Sequence, residues 1–231
     1  MTDAGRAAGT GAGGGPSGTR ADPALLAARA SLAARTRELI EAVVLSEAAI
    51  AELDAVAAEI ADLAARLGAR RWPGPIQSAA GAPARRRRQL DGPVTGEANP
   101  LAPPIKIATT PKGTARAEFI LGPLYQGPPD AVHGGVCAAI LDSLLGSAAA
   151  AGDRPGMTAR LILRYLRPTP LGVPLVAEAW IRGVERRTTI VEGRILNDRG
   201  ELTVEATGEF SLPLRWQRHA HQRGPADGQA S

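Results

Sequence analysis

The sequence contains a single cysteine, Cys137, so no internal disulfide forms and a reducing, cytoplasmic setting is expected. Histidine is almost as scarce. His219 and His221 lie in a polar C-terminal stretch, which leaves His133 alone in the part expected to fold and excludes a histidine-rich metal site. Aromatic residues make up 3% of the 231 residues, so aliphatic side chains and alanine must fill the core. No apolar run of about eighteen residues is free of charge, and no transmembrane helix is expected. The Gly-, Ala- and Thr-rich start lacks the apolar centre of a secretory signal. Neither charge sign dominates: 27 Lys and Arg stand against 23 Asp and Glu. That balance suits a polyanionic small molecule and does not argue for nucleic acid.

What is present is a hydrophobic content of 44%, enough for a buried core. Residues 1–22 read as a disordered tail, since Gly9 to Gly18 is mostly glycine with nothing to bury. Residues 23–68 have helical spacing. Leu25, Leu32 and Leu39 recur every seven residues, followed by Val43, Ile50, Leu53, Ile60, Leu63 and Leu67. Ser46 with Glu47 offers an N-cap for a second helix, giving a helical hairpin; one long helix is the rival reading. Either serves as a packing or oligomerisation element. Residues 69–103 form a proline-rich linker that excludes regular structure. Within it, Arg85 to Arg88 reads as a solvated basic turn or as a phosphate or acidic-surface contact. The absence of interleaved aromatics argues against nucleic-acid recognition.

Residues 104–213 read as one compact domain, and 214–231 as a second disordered tail. A strand is expected around Ala115 to Leu121, where apolar residues alternate with Arg116 and Glu118. Val136 to Ala151 is apolar on nearly every side, which marks a buried helix. Four strands follow, centred on Leu161 to Tyr165, Leu175 to Ile181, Thr189 to Leu196 and Leu202 to Leu212. In the last, Leu202, Val204, Ala206, Gly208 and Phe210 should face the core while Glu201, Thr203, Glu205 and Thr207 face water. Asn197-Asp198-Arg199-Gly200 reads as the hairpin turn before it. The sum is an α+β architecture: a largely antiparallel sheet wrapped around one central helix, behind an N-terminal helical segment.

Candidate chemistry gathers on the central helix. His133-Gly134-Gly135 opens it, and two glycines expose first-turn N–H groups where negative charge is favoured. Asp142 has Ala138, Ala139, Leu145 and Gly146 as helical neighbours, none of them a cation. A carboxylate in such company is costly unless paired or useful. Hydrogen bonding to a neighbouring strand is its structural alternative. Gly135 and Asp142 lie two turns apart on one face, roughly 10 Å along the axis. The spacing predicts a bound carbonyl between them, with the Gly135 N–H holding an oxyanion. Cys137 reads as a core residue.

Four stretches then carry a resemblance. They are Tyr125-Gln126-Gly127-Pro128-Pro129-Asp130-Ala131-Val132-His133-Gly134-Gly135 with Asp142 nine residues after the histidine, Asn99-Pro100-Leu101-Ala102-Pro103-Pro104, Met157-Thr158-Ala159, and Tyr165-Leu166-Arg167-Pro168-Thr169-Pro170-Leu171. Over about residues 97–213 the chain resembles the PaaI-type hotdog-fold acyl-CoA thioesterases, in the branch that includes thioesterase superfamily member 4. The N-terminal helices resemble an extension found in bacterial members.

The resemblance implies a hotdog fold and acyl-CoA hydrolysis to free acid and CoA, without metal or cofactor, at sites built by paired subunits of a homodimer or homotetramer. It makes Asp142 the general base or nucleophile and Thr158 a water-positioning hydroxyl supplied by the partner subunit. The backbone at Gly135 would polarise the carbonyl, His133 would orient the helix start or substrate, and Gly134, Arg167 and Arg187 would contact CoA. Two positions depart from the family pattern: Gly127 where an asparagine is found in some members, and Ser143 where an acidic residue is common. A hotdog enoyl-thioester hydratase or dehydratase, or a non-catalytic acyl-CoA-binding protein, remain alternatives.

Overall fold

A computed structural model describes residues 23–70 and 91–211. The expected tails, His219, His221 and the Arg85 to Arg88 run lie outside the described residues. The N-terminal segment forms two helices, α1 (Pro23–Leu45) and α2 (Ile50–Gly68). Ala49, with no side-chain cap, precedes α2, while the Ser46 hydroxyl accepts the N–H of Ala48. The serine therefore shapes the break and does not cap the second helix.

The leucine heptad is not the packed face of α1. Leu25, Leu32 and Leu39 are exposed, whereas Ala33 is buried and Ala30, Ala34 and Arg37 are half-buried beside it. Small side chains allow α1 to lie close against the segment that precedes the sheet. α2 buries none of its residues.

The body is one six-stranded antiparallel sheet. Its strands are β1 (Ala108–Thr110), β2 (Thr114–Phe119), β3 (Met157–Tyr165), β4 (Leu175–Glu185), β5 (Thr188–Leu196) and β6 (Leu202–Ser211), in the order β1-β2-β4-β5-β6-β3. β1, too short to show alternation, was not anticipated. The central helix α3 (Gly134–Ala151) lies across the inner face and buries Cys137, Ile140, Leu141, Leu144, Leu145, Ala148 and Ala149. By length and composition α3 could cross a membrane, but it carries Asp142 and is the core helix around which the sheet wraps. This is the hotdog fold.

Close approach of helix to sheet depends on Gly193 and Gly208, where an added Cβ would fall 2.8 Å from the Leu145 side chain. The turn at Asn197 is as expected: its side chain accepts the N–H groups of Arg199 and Glu201, and Gly200 has φ +74. One strand face differs from the strict alternation. Thr203 is fully buried beside Val204. The register slips there, Ile195 pairing with Val204 but Leu196 with Leu202, so Thr203 is an unpaired bulge residue. Its hydroxyl donates to the Ile195 carbonyl and accepts from Thr169.

The proline-rich segment is irregular but it is not a loose linker where it is described. Gly96, Ala102, Pro103 and Ile105 are buried, and Val94 packs on the core. Asn99 organises it by donating to the Asp91 carbonyl and accepting the Leu101 N–H.

Candidate active site

His133 is the N-cap of α3 through its side chain: Nδ1 accepts the Gly135 N–H at 2.9 Å. The acceptor nitrogen must be unprotonated to do this. The Gly135 amide, expected to be bare for an oxyanion, is therefore occupied by its own helix cap. The Gly134 N–H makes no hydrogen bond among the described residues and is the first-turn amide left to a ligand. Tyr165, which sequence reasoning did not single out, covers this end. Its hydroxyl donates to the Gly134 carbonyl at 2.9 Å. Its ring stands 3.3 Å from where a Gly134 Cβ would be.

The departure at Gly127 has a steric cause. An added Cβ there would fall 2.7 Å from the His133 Cα, so an asparagine does not fit this loop conformation. Cys137 is buried, and burial raises its thiol pKa, opposed by the hydrogen bond with Thr169. A thiol so placed is a core residue and not a nucleophile.

Two turns along α3, the half-buried Asp142 accepts a hydrogen bond from the Thr158 hydroxyl at 2.7 Å. The backbone explains how Thr158 gets there. Leu161, Leu163 and Tyr165 lean toward the helix, and strict alternation would turn residue 158 outward. β3 instead carries Ala159 as an extra residue, since Thr158 pairs with Phe210 and Arg160 with Glu209. This bulge re-aims Thr158 at Asp142. The contact lies within one chain, which corrects the expectation that the hydroxyl comes from a partner subunit.

Asp142 and Thr158 open on a cavity of about 750 Å³. Ser143, Gly146, Ser147 and Ala150 of α3 form one side, and residues 92–95 with Ile105 and Ile107 form the other. Sequence reasoning missed this second wall, because a proline-rich stretch gives no periodic signal. His133, Gly134 and Gly135 do not line the cavity. The Asp142 end and the helix start, about 12 Å apart along the axis, are spanned by β3 and are not joined in one chain. Within a single chain the helix start is thus not brought to the Asp142 cavity. The candidate CoA-binding arginines also stand apart. Arg167, bonded to the Leu202 carbonyl, lies at the Tyr165 end of β3. Arg187, exposed in the β4–β5 turn, lies at the other end, where Thr188 pairs with Ser211 and Ser211 with Met157.

A crystal structure described as a thioesterase superfamily protein matches this chain at 34% identity, with a TM-score of 0.69. The match covers 79% of this chain and 94% of that one. The chain belongs to the thioesterase superfamily. The family model described as thioesterase superfamily matches residues 130–204, from the turn before His133 into β6. Acyl-coenzyme A thioesterase THEM4 of Xenopus laevis is 34% identical over 93 residues, covering 40% of this chain and 42% of that protein. The Bos taurus protein of the same name is 34% identical over 90 residues, covering 38% and 37%. The chain thus spans about two fifths of these curated relatives. Membership in the superfamily accords with the wrapped helix and with the hydroxyl–carboxylate pair at the mouth of its cavity.

Proposed function

We propose that this chain hydrolyses acyl-CoA thioesters, fatty acyl-CoAs among them, to the free acid and CoA. The observation that carries the reading is the Asp142–Thr158 pair at the mouth of a roomy, partly apolar cavity. The Thr158 hydroxyl engages Oδ1, which leaves Oδ2 for a water molecule. The carboxylate takes a proton from that water as its oxygen bonds the thioester carbonyl carbon. The C–S bond then breaks, and the proton passes to the departing thiolate. Direct attack by the carboxylate is the other route to the same products.

The oxyanion needs a donor that this chain does not bring to Asp142, and pairing of two chains supplies one. β3 is an edge strand whose outer side makes no ladder among the described residues. It exposes Met157, Ile162 and Tyr165, with exposed Leu166 just after it, a combination that invites strand pairing. Antiparallel self-pairing about Ile162 puts Thr158 opposite the partner subunit's Leu166. That places Asp142 near the partner subunit's Gly134, whose amide is unengaged. The same pairing brings Arg167 toward the partner subunit's Met157, the end of the sheet where Arg187 stands, so both arginines reach one CoA only across the interface. A homodimer, or a homotetramer of such dimers, is the proposed working form.

The hydratase reading requires a histidine paired with an acidic group, and the Nδ1 of His133 is engaged by the Gly135 amide instead. Release of CoA thiol from acyl-CoAs tests the proposal. Asp142→Ala should keep the melting transition and abolish thiol release; hydrolysis at the parent rate by that variant would overturn the assignment.

A further inference from the structure

The wall opposite α3 has two sides. Its front lines the Asp142 cavity through Thr95, Glu97, Ile105 and Lys106. Its back faces α1: the same four residues, with Ala30 and Arg37 of α1, line a second space of about 190 Å³. Helix α1 is tied to this wall at two points. Arg37 donates to the Asn99 carbonyl at 3.1 Å, and Arg29 pairs with Asp91. Asn99 is the residue that organises the wall, because its side chain reaches both Asp91 and Leu101 and its carbonyl also accepts the Ala102 N–H. No strand ladder supports residues 91–107; Ile105 and Val94 anchor them on the core, and the rest of the segment is placed by what stands behind it.

We infer that α1 acts as a buttress that sets the width of the acyl cavity, with Arg37 and Arg29 as positioning residues for chain-length selectivity. The inference rests on the hydrolase reading above. The cavity follows α3 from Asp142 past Gly146 to Ala150, positions one above another on the helix whose side chains are small or absent. That path is roughly 12 Å long, room for an extended acyl chain of on the order of ten carbons. The other wall is Val94, Ile105 and Ile107, with Phe210 at the sheet side. An acyl chain gains its affinity from contact with both walls. If the clamps are cut, the outer wall moves away and the long chain loses contact along its length. An acetyl group, held beside Asp142, does not reach that wall.

The test compares the full-length parent with Arg37→Ala, Arg37→Lys and Arg29→Ala/Arg37→Ala on acyl-CoAs from acetyl to hexadecanoyl. The double variant should raise KM for dodecanoyl-CoA about tenfold (on the order of 1.4 kcal/mol) at unchanged kcat, and leave both constants for acetyl-CoA unaltered. Arg37→Lys, which keeps a donor for the Asn99 carbonyl, should restore most of the parent profile. Hydrogen exchange supplies a second measurement: amides within 92–107 should exchange faster in the alanine variants, while those of α3 do not change. A double variant with the parent's KM profile and the parent's exchange overturns the inference. Should the double variant lose its cooperative melt, Arg37→Ala alone carries the test, and failure of Arg37→Lys to restore the profile overturns it. If the parent cleaves none of these thioesters, the hydrolase reading fails, and exchange at 92–107 still decides whether α1 supports the wall.

Discussion

The Thr158 hydroxyl donates to Asp142 Oδ1 at 2.7 Å, from a strand residue that strict alternation would have turned away from the helix. The bulge at Ala159 thus builds this pair, and in the proposed mechanism the hydroxyl fixes which carboxylate oxygen faces the water. Loss of one hydrogen bond to a charged acceptor costs about 1.5–3 kcal/mol, or about 10- to 150-fold in rate. Thr158→Ala should lower kcat by that factor with little change in KM, and Thr158→Ser should recover most of it. Thiol release at saturating acyl-CoA measures both. Equal rates for Thr158→Ala and the parent would remove the hydroxyl from the mechanism.

His133 is an N-cap by side chain, an unusual use of imidazole. His133→Ala strips the Gly135 amide of its partner and should cost about 0.5–2 kcal/mol, whereas His133→Asn, a good capping residue, should recover most of it. Urea unfolding followed by circular dichroism reads the difference. If His133→Ala unfolds at the parent's midpoint, the cap contributes nothing to stability.

Much of this was legible in the sequence where chemistry is local. The all-round apolar run from Val136 to Ala151 gave the core helix, and alternation gave β2, β4, β5 and most of β6. Asp142 stood out because no neighbour on its helix explained a charge there. Features set by long-range register were hidden. The bulges that turn Thr203 into the core and Thr158 onto Asp142 depend on which residues pair across the sheet, and spacing along one strand does not record that. The leucine heptad of α1 marked the helix and left open which face packs within one chain. Periodicity reports a face, and the face that packs is the alanine one, because close approach outweighed side-chain area at that contact. The second cavity wall left no trace in periodicity, since Asn99 holds it by individual hydrogen bonds.

Ile162 lies at the midpoint of the proposed β3 pairing and is 43% exposed in the single chain. Ile162→Lys would set two like charges against each other across the two-fold axis, which strand pairs do not tolerate. Sedimentation velocity should then show a monomer where the parent is a dimer or tetramer. Thiol release should fall with it, because the partner subunit's Gly134 is withdrawn from Asp142. A variant that stays assembled, or a monomer that keeps full activity, would show that the site is complete without this pairing.

Glu178 sits between two arginines on the solvent face of the sheet, directly opposite Arg116 of β2 and Arg194 of β5. Arg194 donates to Oε2 through Nε at 3.0 Å and Nη2 at 2.8 Å, and Arg116 engages Oε1. The hydrogen bond from Arg194 holds the carboxyl below its ordinary value; partial burial opposes this, and attraction to both arginines adds to it. In the unfolded chain the group titrates near about 4.3. Above that pH the carboxylate is ionised in both states and the fold gains the full interaction. As pH falls through the depressed folded value, the folded carboxylate is protonated too and the gain disappears. The arginines are about half exposed, so solvent screening limits the gain to less than about 1 kcal/mol. Glu178→Gln should therefore melt lower than the parent at pH 7 and together with it at the acid end of the titration. A constant gap between the two melting curves across that range would mean that the residue contributes by packing and not by charge.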